Sequence, residues 1–163
     1  MRLMMKYKIV EARAFNIVGL KADANFVTNG QVTSQLARGF MPRLKDIKSL
    51  KDPYTLSLQK YEDFNFKNFN PSTSFEKWIG VEVDTFDAIP EDLETLTIPS
   101  GNYLVIDFKG SIPEFIKQWQ YIHSTWLPKS EFELDHRPHF ERLPPSYNPA
   151  NQDNDEEIWI PIK

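Results

Sequence analysis

Near the end of the chain a glutamate stands two residues before a tryptophan, Glu157 and Trp159, with Pro161 two further on. In an extended strand this spacing puts the three on one face and Ile158, Ile160 and Ile162 on the other. The isoleucine face belongs against helices, which leaves the Glu–Trp face free to line a groove. A carboxylate among aromatic rings attracts lipophilic cations twice over, by charge in a poorly solvated setting and by the ring faces. Poor solvation also raises its pKa, as a general acid or base requires. The residues alone leave a second reading open: a solvated edge-strand carboxylate in the acidic run Asp153-Asn154-Asp155-Glu156-Glu157. The same spacing recurs at Glu76 and Trp78. That pair reads either as a pseudo-symmetric counterpart or as a packed tryptophan beside an exposed glutamate. Tyr103 either reaches the groove or belongs to the core. Trp119 and Trp126 read as core.

Other chemistries find little support. With no cysteine, disulfides, thiolate catalysis and cysteine metal sites are excluded. His136 and His139 lie three apart in an expected strand and point to opposite faces, and His123 falls on a helix flank, so no metal site is expected. There is no nucleophile-elbow motif and no glycine-rich phosphate loop, and no cofactor is implied. The cluster Arg38, Arg43, Lys45, Lys48 and Lys51 is interrupted and reads as a solvated helix face, so with a net charge of −4 no direct nucleic-acid binding is expected. No segment reaches the ~18–20 apolar residues of a membrane span, and a cytoplasmic location is the default expectation. The 163 residues fit one domain. The 12 Phe, 6 Tyr and 4 Trp are a surplus of rings that a core and a ligand pocket would share.

The elements that must position these residues follow from periodicity. Residues 6–22 read as extended, with Gly19 a possible bulge. Val32, Leu36, Phe40 and Leu44 recur every four residues, predicting a helix that ends near Met41 before Pro42. Strands are expected around Tyr54–Leu58, over Phe75–Asp84, Leu93–Ile98 and Tyr103–Phe108, with a loop over 62–74. Ile112, Phe115, Ile116, Trp119, Ile122 and Trp126 predict one apolar helix face, opened by a Ser111–Glu114 capping box and stopped by Pro128. Phe132, Leu134, His136 and Phe140 are expected on one face of the next strand, with Glu133, Asp135, Arg137 and Glu141 on the other. A loop over 143–155 and a last strand over 157–162 close the chain. Two halves emerge, about 1–90 and 91–163, each strand-helix-strand-strand. They predict an α+β domain in which an antiparallel sheet backs onto two helices around a central groove.

The run from Ser100 to Gly110, the helix leading into Trp126-Leu127-Pro128-Lys129-Ser130, the pair Phe140-Glu141 and the closing Glu157-Ile158-Trp159-Ile160-Pro161-Ile162 resemble, in order, the motifs of the GyrI-like effector-binding domains. Ala14–Gly19 and Trp78–Val83 also match. Relatives often have Gly-Tyr where Glu131-Phe132 stands here. The resemblance implies tandem strand-helix-strand-strand units around a groove that binds aromatic or cationic small molecules. It also implies a buried glutamate on the last strand, which maps onto Glu157 in preference to Glu156. Many relatives carry a preceding helix-turn-helix domain. This sequence opens in the first strand, so a stand-alone binding module is expected, one that sequesters a ligand or reports it to a protein partner. In that reading Glu157 is the counter-charge and Trp159, Trp78, Tyr103 and Glu76 line the site. Two alternatives follow from the same resemblance: a hydrolase in which Glu157 activates water, and a gyrase-inhibitor-like module that binds a protein.

Overall fold

A computed structural model describes residues 5–163. Its strands are β1 (Tyr7–Ala12), β2 (Phe15–Ala24), β3 (Thr55–Lys60), β4 (Phe75–Val83), β5 (Glu94–Ile98), β6 (Gly101–Gly110), β7 (His139–Leu143) and β8 (Asn154–Ile162). The helices are α1 (Asn29–Phe40) and α2 (Ile112–Tyr121). All eight strands join one antiparallel sheet in the order β1-β6-β8-β7-β3-β4-β2-β5. The expected repeat is present: β2-α1-β3-β4 is followed by β6-α2-β7-β8. The strand preceding each unit crosses to the other, β1 onto β6 and β5 onto β2. The halves meet where β3 pairs with β7 and Leu58 lies opposite Phe140.

Both helices lie on one face of the sheet. α1 buries Leu36 and Phe40 against Val18, Ile79, Val81 and Val83. On the other half, Ile122 and Leu127 pack on Leu104, Ile106, Ile158, Ile160 and Ile162, so the isoleucine face of β8 is against the helical layer, as its spacing predicts. The opposite face has no helix, yet Ile17, Leu58, Ile98 and Tyr103 are fully buried on it. The sheet curls, so that side chains from edge strands β1 (Val10, Ala12) and β5 (Leu96, Ile98) join one core with Trp78, Tyr103 and Phe140. The curl needs backbones to approach closely. Gly19 pairs in register with Gly80, and a Cβ added at Gly19 would sit 2.1 Å from the Ile79 carbonyl oxygen. The glycine expected to mark a bulge instead permits an unbroken, close strand pairing.

α1 opens after an Asn25 turn in which the Asn25 side chain accepts from the amides of Val27 and Thr28, and it gives way at Met41 to a 3-10 turn containing Pro42. α2 begins with the expected capping box between Ser111 and Glu114. Pro128 does not end it. The helix passes through a π turn, Ile122–Trp126, into a last α turn, Leu127–Lys129. The inward stripe also differs from the expected one. Ile122 is buried as expected, but Ile112 and Ile116 are exposed, and Gln118 and His123 are buried in their stead. The strand expected through 132–141 is shorter as well. Only a single bridge, Leu134 to Ile162, forms before β7. Pro138, which lacks an amide donor, precedes the paired segment. This break resets the alternation, and Glu141, expected on the polar face, is buried beneath the helical layer.

Candidate functional site

α1 covers the β2–β4 half and α2 the β6–β8 half, so the two central strands β3 and β7 lie between the helices. Their helix-side positions are polar: Ser57 and Gln59 on β3, His139 and Glu141 on β7, flanked by Lys77 on β4 and Glu156 on β8. All six are buried. Gln59 donates to the Glu141 carboxylate at 3.2 Å, and Lys77 donates to the Ser57 hydroxyl at 2.7 Å. The π turn after α2 adds His123, whose two ring nitrogens are buried without a hydrogen-bond partner.

Aromatic rings roof this floor. The loop after β3 brings in Tyr61, Phe64, Phe66 and Phe69, the turn before α1 brings Phe26, β4 brings Phe75 and α2 brings Trp119. Phe26 touches Tyr61, Phe64, Phe69, Phe75 and Trp119 at ring-centre distances of 4.7–6.4 Å. Phe64 also meets Trp119, His123 and His139. The Asn- and Phe-rich stretch that reads as a loop thus packs its rings over the polar floor between the helices. Tyr147, from the proline-rich loop, approaches the same acidic groups. That loop is locked by Asn154, which donates to the Asn148 carbonyl at 2.6 Å.

Burial beneath the rings sets the electrostatics. Removal from water raises the Glu141 carboxyl above its ordinary range, opposed by nearby Lys77 and by the Gln59 hydrogen bond. Burial, reinforced by Glu141, pushes Glu156 up to about 8. Burial depresses Lys77 to about 8 against the attraction of both carboxylates, and His123 to about 3. His139 is held well below its usual value by burial and then by His123. Two carboxyls, a lysine and two neutral histidines therefore share a poorly solvated region with packed rings, where charges interact through a low dielectric.

The residues singled out from the sequence sit on the other face. Trp78 and Tyr103 are enclosed in the core of the curled sheet, at 2% and 0% exposure, and do not line an open groove. Glu76 and Glu157 are half-buried, and each accepts from the indole two residues on: Trp78 to Glu76 at 2.7 Å and Trp159 to Glu157 at 3.1 Å. The repeated Glu-x-Trp is a pair of local hydrogen bonds, one in each half. Each also has a cation: Lys21 lies 3.9 Å from Glu76, and Arg142 donates to Glu157 at 2.6 Å while bonding Asp52 at 3.1 Å. Of the two glutamates weighed for the buried position, strand alternation turns Glu156 toward the helices and Glu157 away from them. Placing Glu141 with Glu133, Asp135 and Arg137 on the polar face of its strand hid the central polar floor, and the signal that could have exposed it was Phe140-Glu141, one of the motifs carrying the family resemblance.

An antiparallel sheet of two strand-helix-strand-strand units backed by two helices is the architecture of a class of small-molecule-binding module. The model of the GyrI-like small molecule binding domain matches residues 5–163, and the chain belongs to that family. It is 26% identical over 162 residues to the transcriptional regulator BrlR of Pseudomonas aeruginosa, covering 97% of this chain and 56% of that protein. The chain thus spans about half the length of this relative. Among solved structures it is similar to SAV2435 bound to tetraphenylphosphonium, with TM-score 0.67 and 21% identity over 98% of this chain and 94% of that one. It is also similar to the C-terminal domain of EcmrR, with TM-score 0.68 and 12% identity over 99% of both chains. Among the described residues no helix is long and apolar enough to cross a membrane, and no group of three or more His, Cys, Asp and Glu is arranged to hold a metal ion.

Proposed function

We propose that this protein binds a small hydrophobic or cationic molecule bearing aromatic rings between α1 and α2, with Glu141 as counter-charge, Glu156 as a second carboxyl and the Phe26–Phe64–Trp119 cluster as walls. The observation that carries this reading is Glu141 itself: a buried carboxyl held by one neutral hydrogen bond from Gln59 beneath a cluster of rings. Burying a carboxyl is costly, and a cationic ligand would return that cost as binding energy. The tetraphenylphosphonium complex of SAV2435 supports the ligand class. Glu157, the sequence-level candidate, fits the role less well, because Arg142 already neutralises it. Sequestration and effector sensing both follow from capture of this kind.

The test is titration of tryptophan fluorescence with tetraphenylphosphonium, comparing wild type with Glu141→Gln and Glu157→Gln. Loss of roughly tenfold or more in affinity, about 1.4 kcal/mol, in Glu141→Gln alone is the expected outcome. The same loss in Glu157→Gln alone moves the site to the opposite face. A second reading, hydrolysis of an electrophilic ligand, rests on a carboxyl poised near neutrality, Glu156 at about 8, as general acid catalysis requires. Time-resolved mass analysis separates the two: product above the protein-free rate supports hydrolysis, and intact ligand removes it for that compound.

A further inference from the structure

Lys77 is not one of the groups given a contact with the ligand in the binding just described, yet its charge lies at the floor beside Glu141 and Glu156. It is 1% exposed, between Phe75 and Ile79 on the helix side of β4 and opposite Gln59 of β3. Its nitrogen donates to the Ser57 hydroxyl, a neutral partner, at 2.7 Å. Among the described residues no carboxylate comes within the 4.0 Å of an ion pair, in contrast to Lys21, Lys51, Lys109 and Lys163. Every other lysine of the described chain is exposed. A buried ammonium without an ionic partner favours its neutral amine, and a desolvated lysine amine is the nucleophile of Schiff-base chemistry. The groups facing it across the floor are Glu141, Glu156, Gln59, Ser57 and the neutral His123 and His139, with Phe75 joining the ring cluster through Phe26 and Tyr61.

We propose, resting on the interhelical site described above, that Lys77 captures aromatic aldehydes covalently as imines. The amine lone pair adds to the carbonyl carbon while the carbonyl oxygen takes a proton from the Glu156 carboxylic acid. The nitrogen of the resulting carbinolamine gives a proton to a carboxylate of the Glu141–Glu156 pair. The hydroxyl then leaves as water, taking a proton back, the C=N bond forms as a protonated imine, and its nitrogen returns its remaining proton to the carboxylate. Aldehyde and amine become imine and water with no oxidant or reductant. The aromatic roof excludes the water that would reverse the step, and the ligand's ring takes a place among Phe26, Phe64 and Trp119. At pH 8 the depressed lysine, near 8, carries about a hundredfold more free amine than an exposed lysine of ordinary pKa.

The experiment uses 4-nitrobenzaldehyde and its non-carbonyl counterpart 4-nitrotoluene, both read by quenching of tryptophan fluorescence. The aldehyde samples are then trapped with cyanoborohydride at pH 8 and mapped by peptide mass. The expected result is saturable quenching by both compounds, with label on Lys77 exceeding that on any other lysine at least tenfold. In Lys77→Met the label should vanish while 4-nitrotoluene still quenches, which also shows that the variant folds. Saturable quenching by 4-nitrotoluene with Lys77 unlabelled, or labelled no more than the exposed lysines, overturns the imine and leaves the binding site standing. No saturable quenching and no Lys77 label overturns both.

Discussion

Replacing Glu156 by Gln should stabilise the protein, by an amount that depends on pH in a definite direction. Burial raises this carboxyl from 4.5 to about 8. A group whose folded pKa is raised has its full stabilising contribution below the unfolded value and loses it as pH rises through the folded value. For Glu156 the loss therefore runs from about 4.5 to about 8. At pH 7 the folded protein keeps a proton that the unfolded chain has released, and at about 1.36 kcal/mol per pH unit this costs about 3 kcal/mol. Glutamine reproduces the neutral carboxyl in shape and does not titrate. Glu156→Gln should therefore gain about 3 kcal/mol at pH 7 and less than about 1 kcal/mol at pH 5, with titrations elsewhere cancelling between the two proteins. For a chain of this length the gain at pH 7 corresponds to about 6–12 °C in Tm. Thermal and urea denaturation of both proteins at pH 5, 6, 7 and 8 measures it. An equal gain at pH 5 and pH 7, or none at pH 7, would show that Glu156 is not held protonated by its surroundings.

The same groups set the pH dependence of ligand capture. Between pH 7 and pH 9 Glu156 ionises and Lys77 loses its proton, both near 8, so the floor becomes more negative and tetraphenylphosphonium should bind at least tenfold tighter, about 1.4 kcal/mol. Fluorescence titration that finds flat or weakening affinity over that range refutes the assignment. Gly19→Ala places a Cβ against the Ile79 carbonyl oxygen and should lower stability by about 3 kcal/mol or more, read from the urea midpoint. A variant of wild-type stability would mean that the β2–β4 pairing relaxes freely. Phe64→Ala removes ring contacts to Phe26, Tyr61 and Trp119. It should red-shift the Trp119 emission and speed ligand association, and an unchanged spectrum would remove Phe64 from the rings over the floor.

Local patterns made much of the fold legible. The four-residue spacing from Val32 to Phe40 marked α1, Ser111 with Glu114 marked the start of α2, and the alternation of Glu157, Trp159 and Pro161 with three isoleucines assigned the faces of β8 correctly. The two Glu-x-Trp stretches revealed the repeat because equivalent strands in the two halves make the same local indole–carboxylate bond. Each of these signals is carried by residues within one or two turns or strand steps, and such interactions are written in the sequence. The position of the candidate site was not. A period gives the apolar face of an element, but which polar residues lie beneath a second layer depends on where two helices land on eight strands. His123 reads as a helix flank and Glu141 as part of a polar strand face until the π turn after Tyr121 and the break before His139 set their directions. Trp78 and Tyr103 look like groove walls until the curl of the sheet encloses them. The carboxylate read from sequence is the one that Arg142, fifteen residues earlier, neutralises across a strand pair, while Glu141 remains with Gln59 from a strand 82 residues away. Long-range pairing decides which charge meets an ionic partner and which a neutral one, because desolvation and partner geometry are properties of the folded chain.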